Sequence, residues 1–483
     1  MPLRFIPAAG LAALAVAVTL AIAGPGRASD TLCVDCIEVR VGPPVVVRGP
    51  FPDELDAPFT ALKLADGSFR GFSANGTTYA ISGATLHQMG GQRQAVLHAG
   101  DAGSRSECGR WLTSVARSGD TLLGLVHQER ACDYDQGKTD KSMAIASSSD
   151  NGQSWTDLGT IITGQDSPQP AANTGEGDCT MIDASDGYLY AYCLRLSDYQ
   201  TIAARARIGD PTAWSKFYEG TWREPGLGGN ATAVGFFGPS VGYLPGPGWV
   251  AAITVDPWVG GVRLSLSEDK VTFADLPQTL VTIDAADWQR PADTDLIAYP
   301  TILNPETGST SVDWRFLLTY VYVPPHQGFD SRYLVEQEVS LTRAEQPVTA
   351  PSGVALTRWS DPGRKTYVAS TGPLTGDQVG YRQDTVVAYM LTKAPADESV
   401  VKIVECASER GGHLDRALVE DGSCDAGYVR ERTAGWLYAD LRPRTVPVYR
   451  CSNDAALTHF ASSASNCEGL GRAERLLGYG LAP

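Results

Sequence analysis

Ser148-Ser149-Asp150-Asn151-Gly152-Gln153-Ser154-Trp155 follows a short apolar strand, Lys141-Ser142-Met143-Ala144-Ile145-Ala146. The octet fits Ser-x-Asp-x-Gly-x-(Thr/Ser)-Trp at every specified position. Its physics is local. Asp150 can accept turn N–H groups, Gly152 supplies a positive φ, and Trp155 anchors the hairpin in a core. A degenerate copy runs from Leu264 to Phe273. Such turns join antiparallel strands, so they predict β-structure on both sides and a folding role rather than a substrate contact.

Working outward, the octet belongs to a repeating unit. Each unit has an apolar strand, a Gly-centred turn, a returning apolar strand and a further hairpin. The units open at Ala57–Leu62, Arg110–Thr113, Cys179–Ile182, Pro239–Tyr243 and Tyr299–Leu303. Corresponding positions 58, 112, 180, 240 and 300 are 54, 68, 60 and 60 residues apart. Four strands per unit at that period predict the blades of a five-bladed β-propeller. The segment before Asp53 is short for a sixth.

The pattern changes after Arg343. A Pro-, Ala- and Ser-containing stretch precedes a shorter repeat of about 45 residues, opening at Val354–Trp359, Val401–Cys406 and Val446–Cys451. Its three copies predict a small β-rich domain, similar to the lectin-like C-terminal modules of secreted bacterial proteins, with a trefoil-like arrangement left open. The expected organisation is a signal peptide over 1–28, an N-terminal strap over 29–48, the propeller over 49–346, a linker over 347–353 and the three-repeat domain over 354–483.

The signal peptide rests on Arg4 and the apolar run Leu11–Ala23. That run is too short to span a hydrocarbon core of about 30 Å. Export predicts paired cysteines: Cys108 with Cys132 and Cys179 with Cys193, each symmetric about a hairpin turn, and Cys406 with Cys424 and Cys451 with Cys467, one per C-terminal copy. Cys33 and Cys36 pair within the strap. Pairing between neighbouring blades is the alternative. The net charge of −16 excludes the basic face that phosphate-backbone binding needs. The partner expected is a glycan, with no nucleic acid and no membrane, and the chain is expected to be a monomer.

In a propeller, ligand-binding groups collect where first strands begin. Those positions carry Asp56, Arg110 and Trp111, Glu176 and Asp178, Phe237 and Ser240, and Tyr299. Glu129 ends a strand in the second unit. The candidate catalytic residues are therefore Asp56, Glu129, Glu176 and Asp178. Glu176 and Asp178, at i and i+2, share a face only if that segment is extended. Candidate substrate contacts are Trp111, His127, Trp222, Trp258, Tyr299 and Arg332. The six histidines have no metal-site spacing, so no metal or other cofactor is expected to be required, while a channel Ca²⁺ ion is left open. Glu405 to Glu409 reads as a solvated face.

Leu55-Asp56-Ala57-Pro58 resembles the Asp-x-Pro opening of the first blade in five-bladed glycoside hydrolases of the arabinanase, xylosidase and invertase group. Gly175-Glu176-Gly177-Asp178 occupies a matching entry in the third blade. The resemblance covers about residues 50 to 345. It implies a secreted glycosidase in which Asp56 is base or nucleophile and later blades supply an acid and a helper carboxylate; the fourth blade has no entry carboxylate. The octet itself resembles the Asp-box of sialidase-like propellers. A non-catalytic sugar- or surface-binding protein is the second reading. A sialidase, which needs three arginines and a Tyr–Glu pair, is the third.

Overall fold

The computed structural model describes residues 32–50, 55–169, 172–235, 240–255, 261–281, 294–344 and 353–483. The signal-peptide reading, Phe237, Trp258 and residues 347–352 lie outside them. Residues Leu32–Pro483 form one unit. It is all-β, with isolated 3-10 turns and no α-helix among the described residues.

The strap comes first, as β1 (Ile37–Val41) and β2 (Val45–Arg48). Four antiparallel strands follow: β3 (Thr60–Lys63), β4 (Phe69–Asn75), β5 (Thr77–Gly83) and β6 (Gln94–Leu97). The second set is β7 (Gly109–Ser118), β8 (Thr121–Asp133), β9 (Lys138–Ser148) and β10 (Thr156–Thr163). The third is β11 (Asn173–Asp183), β12 (Tyr188–Arg195), β13 (Gln200–Arg207), β14 (Asp210–Tyr218) and an added edge strand, β15 (Thr221–Pro225). The fourth is β16 (Ser240–Leu244), β17 (Trp249–Val255), β18 (Val262–Ser267) and β19 (Ala274–Val281). The fifth has three strands from its own stretch, β20 (Leu296–Leu303), β21 (Arg315–Val323) and β22 (Tyr333–Arg343).

The fourth strand of this last set is β1, with Ile37 opposite Arg343 and Val41 opposite Val339. The strap is thus the outer strand of the fifth sheet rather than a separate segment or a sixth unit. Its alternating Ile37, Val39 and Val41 are buried, the period-two pattern of a strand with one covered face.

First strands β3, β7, β11, β16 and β20 pack each on the next, and β20 packs on β3. They form no continuous ladder there. Side-chain hydroxyls cap the unpaired amides instead: Leu112 N–H donates to Thr78 Oγ1 at 2.9 Å, Met181 N–H to Ser114 Oγ at 3.0 Å, and Val241 N–H to Thr180 Oγ1 at 3.1 Å. Apolar clusters fill the space between consecutive sheets. One of them joins Leu55, Phe59 and Phe69 of the first unit to Leu303, Leu317 and Leu334 of the fifth.

The Ser148–Trp155 turn shows how sequence sets this packing. Asp150 Oδ1 accepts from Ser148 Oγ at 2.7 Å, Gln153 N at 2.9 Å and Ser154 N at 3.0 Å. Burial would raise its pKa, but these donors and the Ser154 hydroxyl outweigh it and hold the carboxyl at about 2. Gly152 has φ 80°, and a Cβ there would lie 2.5 Å from Phe72 Cζ. Trp155 meets Phe72 edge-on, with centroids 5.7 Å apart. In the Ser267–Phe273 copy, Asp269 takes the same amides and Lys270 the positive φ, 73°.

The C-terminal copies are β23–β25 (Gly353–Asp361, Thr366–Ser370, Arg382–Leu391), β26–β28 (Val400–Arg410, His413–Glu420, Val429–Tyr438) and β29–β31 (Thr445–Asn453, Thr458–Ser462, Arg472–Leu481). In each, the first strand lies between the other two. Strands β24, β27 and β30 pack together over one core drawn from all three copies, including Leu356, Leu418 and Leu477.

The structure pairs Cys33–Cys36, Cys108–Cys132, Cys179–Cys193, Cys406–Cys424 and Cys451–Cys467; none bridges neighbouring sheets. Trp359 stands where the other two copies have Cys406 and Cys451. It packs on Val368 and Leu374, an apolar plug where they have a covalent tie.

The expectation that Glu405 is solvated is overturned. Its side chain is fully buried and accepts from Ser370 Oγ at 2.9 Å and Thr371 N at 2.8 Å. Arg432 Nε lies 3.4 Å from it, and Arg432 Nη1 lies 3.0 Å from Asp295 Oδ2, just before β20. Charge, not apolar contact alone, holds the second C-terminal copy against the fifth sheet.

Candidate active site

Two backbone features aim the carboxylates. Opposite β12 the register of β11 slips between Gly177 and Thr180, and opposite β21 that of β20 slips between Ala298 and Thr301. At these bulges Asp178 (φ 51°) and Tyr299 (φ 49°) take left-handed conformations that cost a non-glycine residue energy. The bulge breaks the i, i+2 relation of Glu176 and Asp178, and the two side chains have separate partners.

Asp178 Oδ2 accepts from Lys141 Nζ at 2.7 Å, and the same Nζ lies 3.7 Å from Glu129 Oε1. Those two distances, 2.7 and 3.7 Å, bound the gap between Glu129 Oε1 and Asp178 Oδ2 at about 6.4 Å. Glu129 also accepts from His127 Nε2 at 3.0 Å and Tyr134 OH at 2.6 Å. The Asp178 amide donates to His127 Nδ1 at 2.9 Å. Nδ1 is therefore the acceptor, and the proton sits on Nε2, facing Glu129. His127 thus ties the Glu129 carboxylate to the backbone at Asp178.

Burial pushes the pKa of Glu129 up, but His127, Lys141 and Tyr134 outweigh it and leave the carboxyl well below its ordinary range. Burial likewise opposes, and Lys141 overrides, in lowering Asp178. Lys141 loses solvation yet is pushed above the usual lysine value by Asp178 and Glu129. All three stay charged at neutral pH.

Asp56 behaves differently. Its Oδ1 accepts from Arg332 Nη1 at 2.9 Å and Tyr299 OH at 3.3 Å. Burial raises its pKa, and Arg332 only partly offsets this. A third of its side-chain surface, 33%, remains exposed, so a ligand can reach it. Asp56 shares its electrostatic environment with Glu129, Lys141 and Asp178. Carboxylates from the first, second and third units thus act on one another's charge.

Glu176 does not join them. It is buried, with Oε2 2.7 Å from Lys216 Nζ, on a cleft lined by Asp166, Arg195 and Asn230. Lys216 also donates to Thr163 O and Gly229 O. Desolvation, partly countered by Lys216, raises the Glu176 pKa to about 6. Trp111 is 5% exposed and edge-on to His127, so it presents no face to a sugar. His127 is buried too, its ring nitrogens bonded to Glu129 and to the Asp178 amide. Trp222, on the edge strand β15, packs against Tyr190 and Phe217. Arg332 pairs with Asp56 of the first unit rather than a carboxylate of its own.

Lys141 and Tyr134 were not legible as site residues. The signal for Lys141 was a lysine opening an apolar strand, directly opposite Glu129 in register. The Cys108–Cys132 bond and the Cys108 amide, donating to Glu129 O at 3.1 Å, clamp the strand end that carries Glu129. Among the described residues no group of three or more His, Cys, Asp or Glu side chains is placed to hold a metal ion.

Lys141→Met should leave two buried like charges facing each other, at a cost of about 3–5 kcal/mol near pH 7. The wild-type carboxylates have depressed pKa values, so their stabilisation is present above the ordinary carboxylate range and lost as pH falls through the folded values. The mutant's deficit should therefore shrink toward pH 3. Urea midpoints measured from pH 3 to 8 test this; a deficit independent of pH would contradict the assignment.

No protein-family model matches the sequence, and no curated protein matches it. Among solved structures, the catalytic domain of the GH62 α-L-arabinofuranosidase of Coprinopsis cinerea aligns with TM-score 0.42 and 11% identity, over 63% of this chain and 97% of that one. A family 117 glycoside hydrolase of the marine bacterium Zobellia galactanivorans aligns with TM-score 0.43 and 9% identity, over 68% and 97%. An α-L-arabinofuranosidase from Lactobacillus brevis aligns with TM-score 0.39 and 11% identity, over 60% and 92%.

Proposed function

We propose that residues 49–346, closed by the strap, form a five-bladed β-propeller carrying a glycoside hydrolase-like site, with a lectin-like, trefoil-like module over 354–483. What supports this reading is that Asp56, Glu129 and Asp178, from three units, lie close enough to act on one another's charge, with Lys141 bridging the last two. Asp56 is the proton acceptor or nucleophile: reachable, its pKa raised by burial and partly pulled back by Arg332. Glu129 and Asp178 provide fixed negative charge for an oxocarbenium-like transition state. The five disulfides support function outside the reducing cytosol, which accords with a leader over 1–28. The acidic surface favours a neutral glycan over a polyanion.

One observation favours the second reading, a carbohydrate-binding protein without turnover. Lys141 occupies both Glu129 and Asp178, so neither is a ready proton donor. The test is a panel of arabinan, xylan and fructan, with Asp178→Asn alongside wild type and folding checked by circular dichroism. Hydrolysis lost in the variant supports the enzyme. Unchanged turnover excludes Asp178, and binding without hydrolysis by wild type selects the lectin. The anomer first released separates retention from inversion.

A further inference from the structure

Second strands run back toward the end of each sheet where the first strand begins. The loops joining second to third strands therefore rim the carboxylate cluster. In the second unit this loop carries Tyr134, and in the fifth Phe329, each on a 3-10 turn. Both are strongly exposed, Tyr134 at 61% and Phe329 at 52%.

Exposed aromatics scattered singly are ordinary. These two are tied to the site. Tyr134 OH donates to Glu129 Oε2 at 2.6 Å, and its phenol is pushed up by desolvation, then by Glu129, with Asp56 adding to it. Phe329 O accepts from Arg332 Nε at 2.9 Å, and its ring lies 5.8 Å from that guanidinium. Arg332 in turn holds Asp56. One ring is thus anchored through Glu129 and the other through the partner of Asp56. Each short turn holds its residue at the rim and leaves more than half of it exposed.

We propose that Tyr134 and Phe329 are stacking platforms on the two sides of the cluster, and that they select chain-like neutral glycans over single sugars. This rests on the carbohydrate reading above, whether catalytic or not. A sugar ring has an apolar C–H face that an exposed aromatic covers, and hydroxyls that carboxylates bind. With a ring on each side and charge between, a chain of several sugars makes contacts that one sugar cannot.

The full chain is titrated with arabino- and xylo-oligosaccharides of one to six units, as wild type, Tyr134→Ala, Phe329→Ala, the double variant and Tyr134→Phe. Wild-type affinity should rise with chain length. Each alanine variant should lose roughly five- to tenfold on the longest ligand and less on the monosaccharide, and the double variant roughly the product. Tyr134→Phe, which keeps the ring, should retain most of the affinity but shift the pH profile, because Glu129 loses a donor. Leucine variants replace any alanine variant that does not fold. Long-chain affinity within twofold of wild type in both single variants overturns the platforms; if Asp56→Asn still abolishes hydrolysis, the active-site reading survives. A wild type that neither binds nor cleaves any of these sugars overturns both.

Discussion

Asp56→Asn is expected to lower kcat/KM on a cleaved polysaccharide by about 10²–10⁴-fold, the usual range for losing a positioned proton-transfer group. Folding should survive. Asparagine keeps an oxygen for Arg332 Nη1 and Tyr299 OH, and the backbone bond from the residue 56 amide to Ala74 O is untouched. Wild-type activity should fall on the acid side as Asp56 protonates, at a pH above the ordinary aspartate value because burial raises it. Arg332 pulls the other way. Arg332→Gln should therefore move that acid limb further up, by about one pH unit. Steady-state kinetics from pH 3 to 8 measure both effects. Turnover within threefold of wild type in Asp56→Asn would remove Asp56 from the mechanism.

Arg432→Met should be the most destabilising change outside the site, at about 3–5 kcal/mol. Arg432 is buried between Glu405 and Asp295, and its guanidinium also donates to Tyr322 OH. Removing it takes away the cation that sits between these two buried carboxylates. The loss arises from stranded charge rather than lost attraction, so further replacement of Asp295 and Glu405 by leucine should recover much of it. Guanidinium unfolding followed by fluorescence tests the series. A triple variant no more stable than Arg432→Met would mean that packing, not charge, dominates.

Local chemistry is what the chain states openly. The Ser148–Trp155 turn and the hairpin-symmetric cysteines are short-range patterns, each constraining only a few neighbouring residues, and the spacing of the units repeats such local patterns along the chain. Asp56, Asp178 and Glu129 could be named as candidates because strand starts and ends have a definite place once units are counted. Glu176 was expected beside Asp178 because a strand pattern implies that i and i+2 share a face. A bulge with a left-handed Asp178 cancels that rule, and nothing two residues away encodes it.

Contacts across long stretches of chain were decided only in the tertiary structure. The strap became the outer strand of the fifth sheet because that sheet has three strands of its own and an open edge that β1 can pair. Lys141 became the shared partner of two carboxylates because β9 lies beside β8 and β11. Glu405, read as solvated, was buried because Ser370 and Thr371 of the neighbouring copy donate to it and Arg432, itself paired with Asp295 of the fifth unit, neutralises it. The octet that fixes the turn fixes Asp150, Gly152 and Trp155 within a few bonds. The charges of the candidate site depend on groups tens to hundreds of residues apart, and their pairing energies exist only once folding removes the water between them.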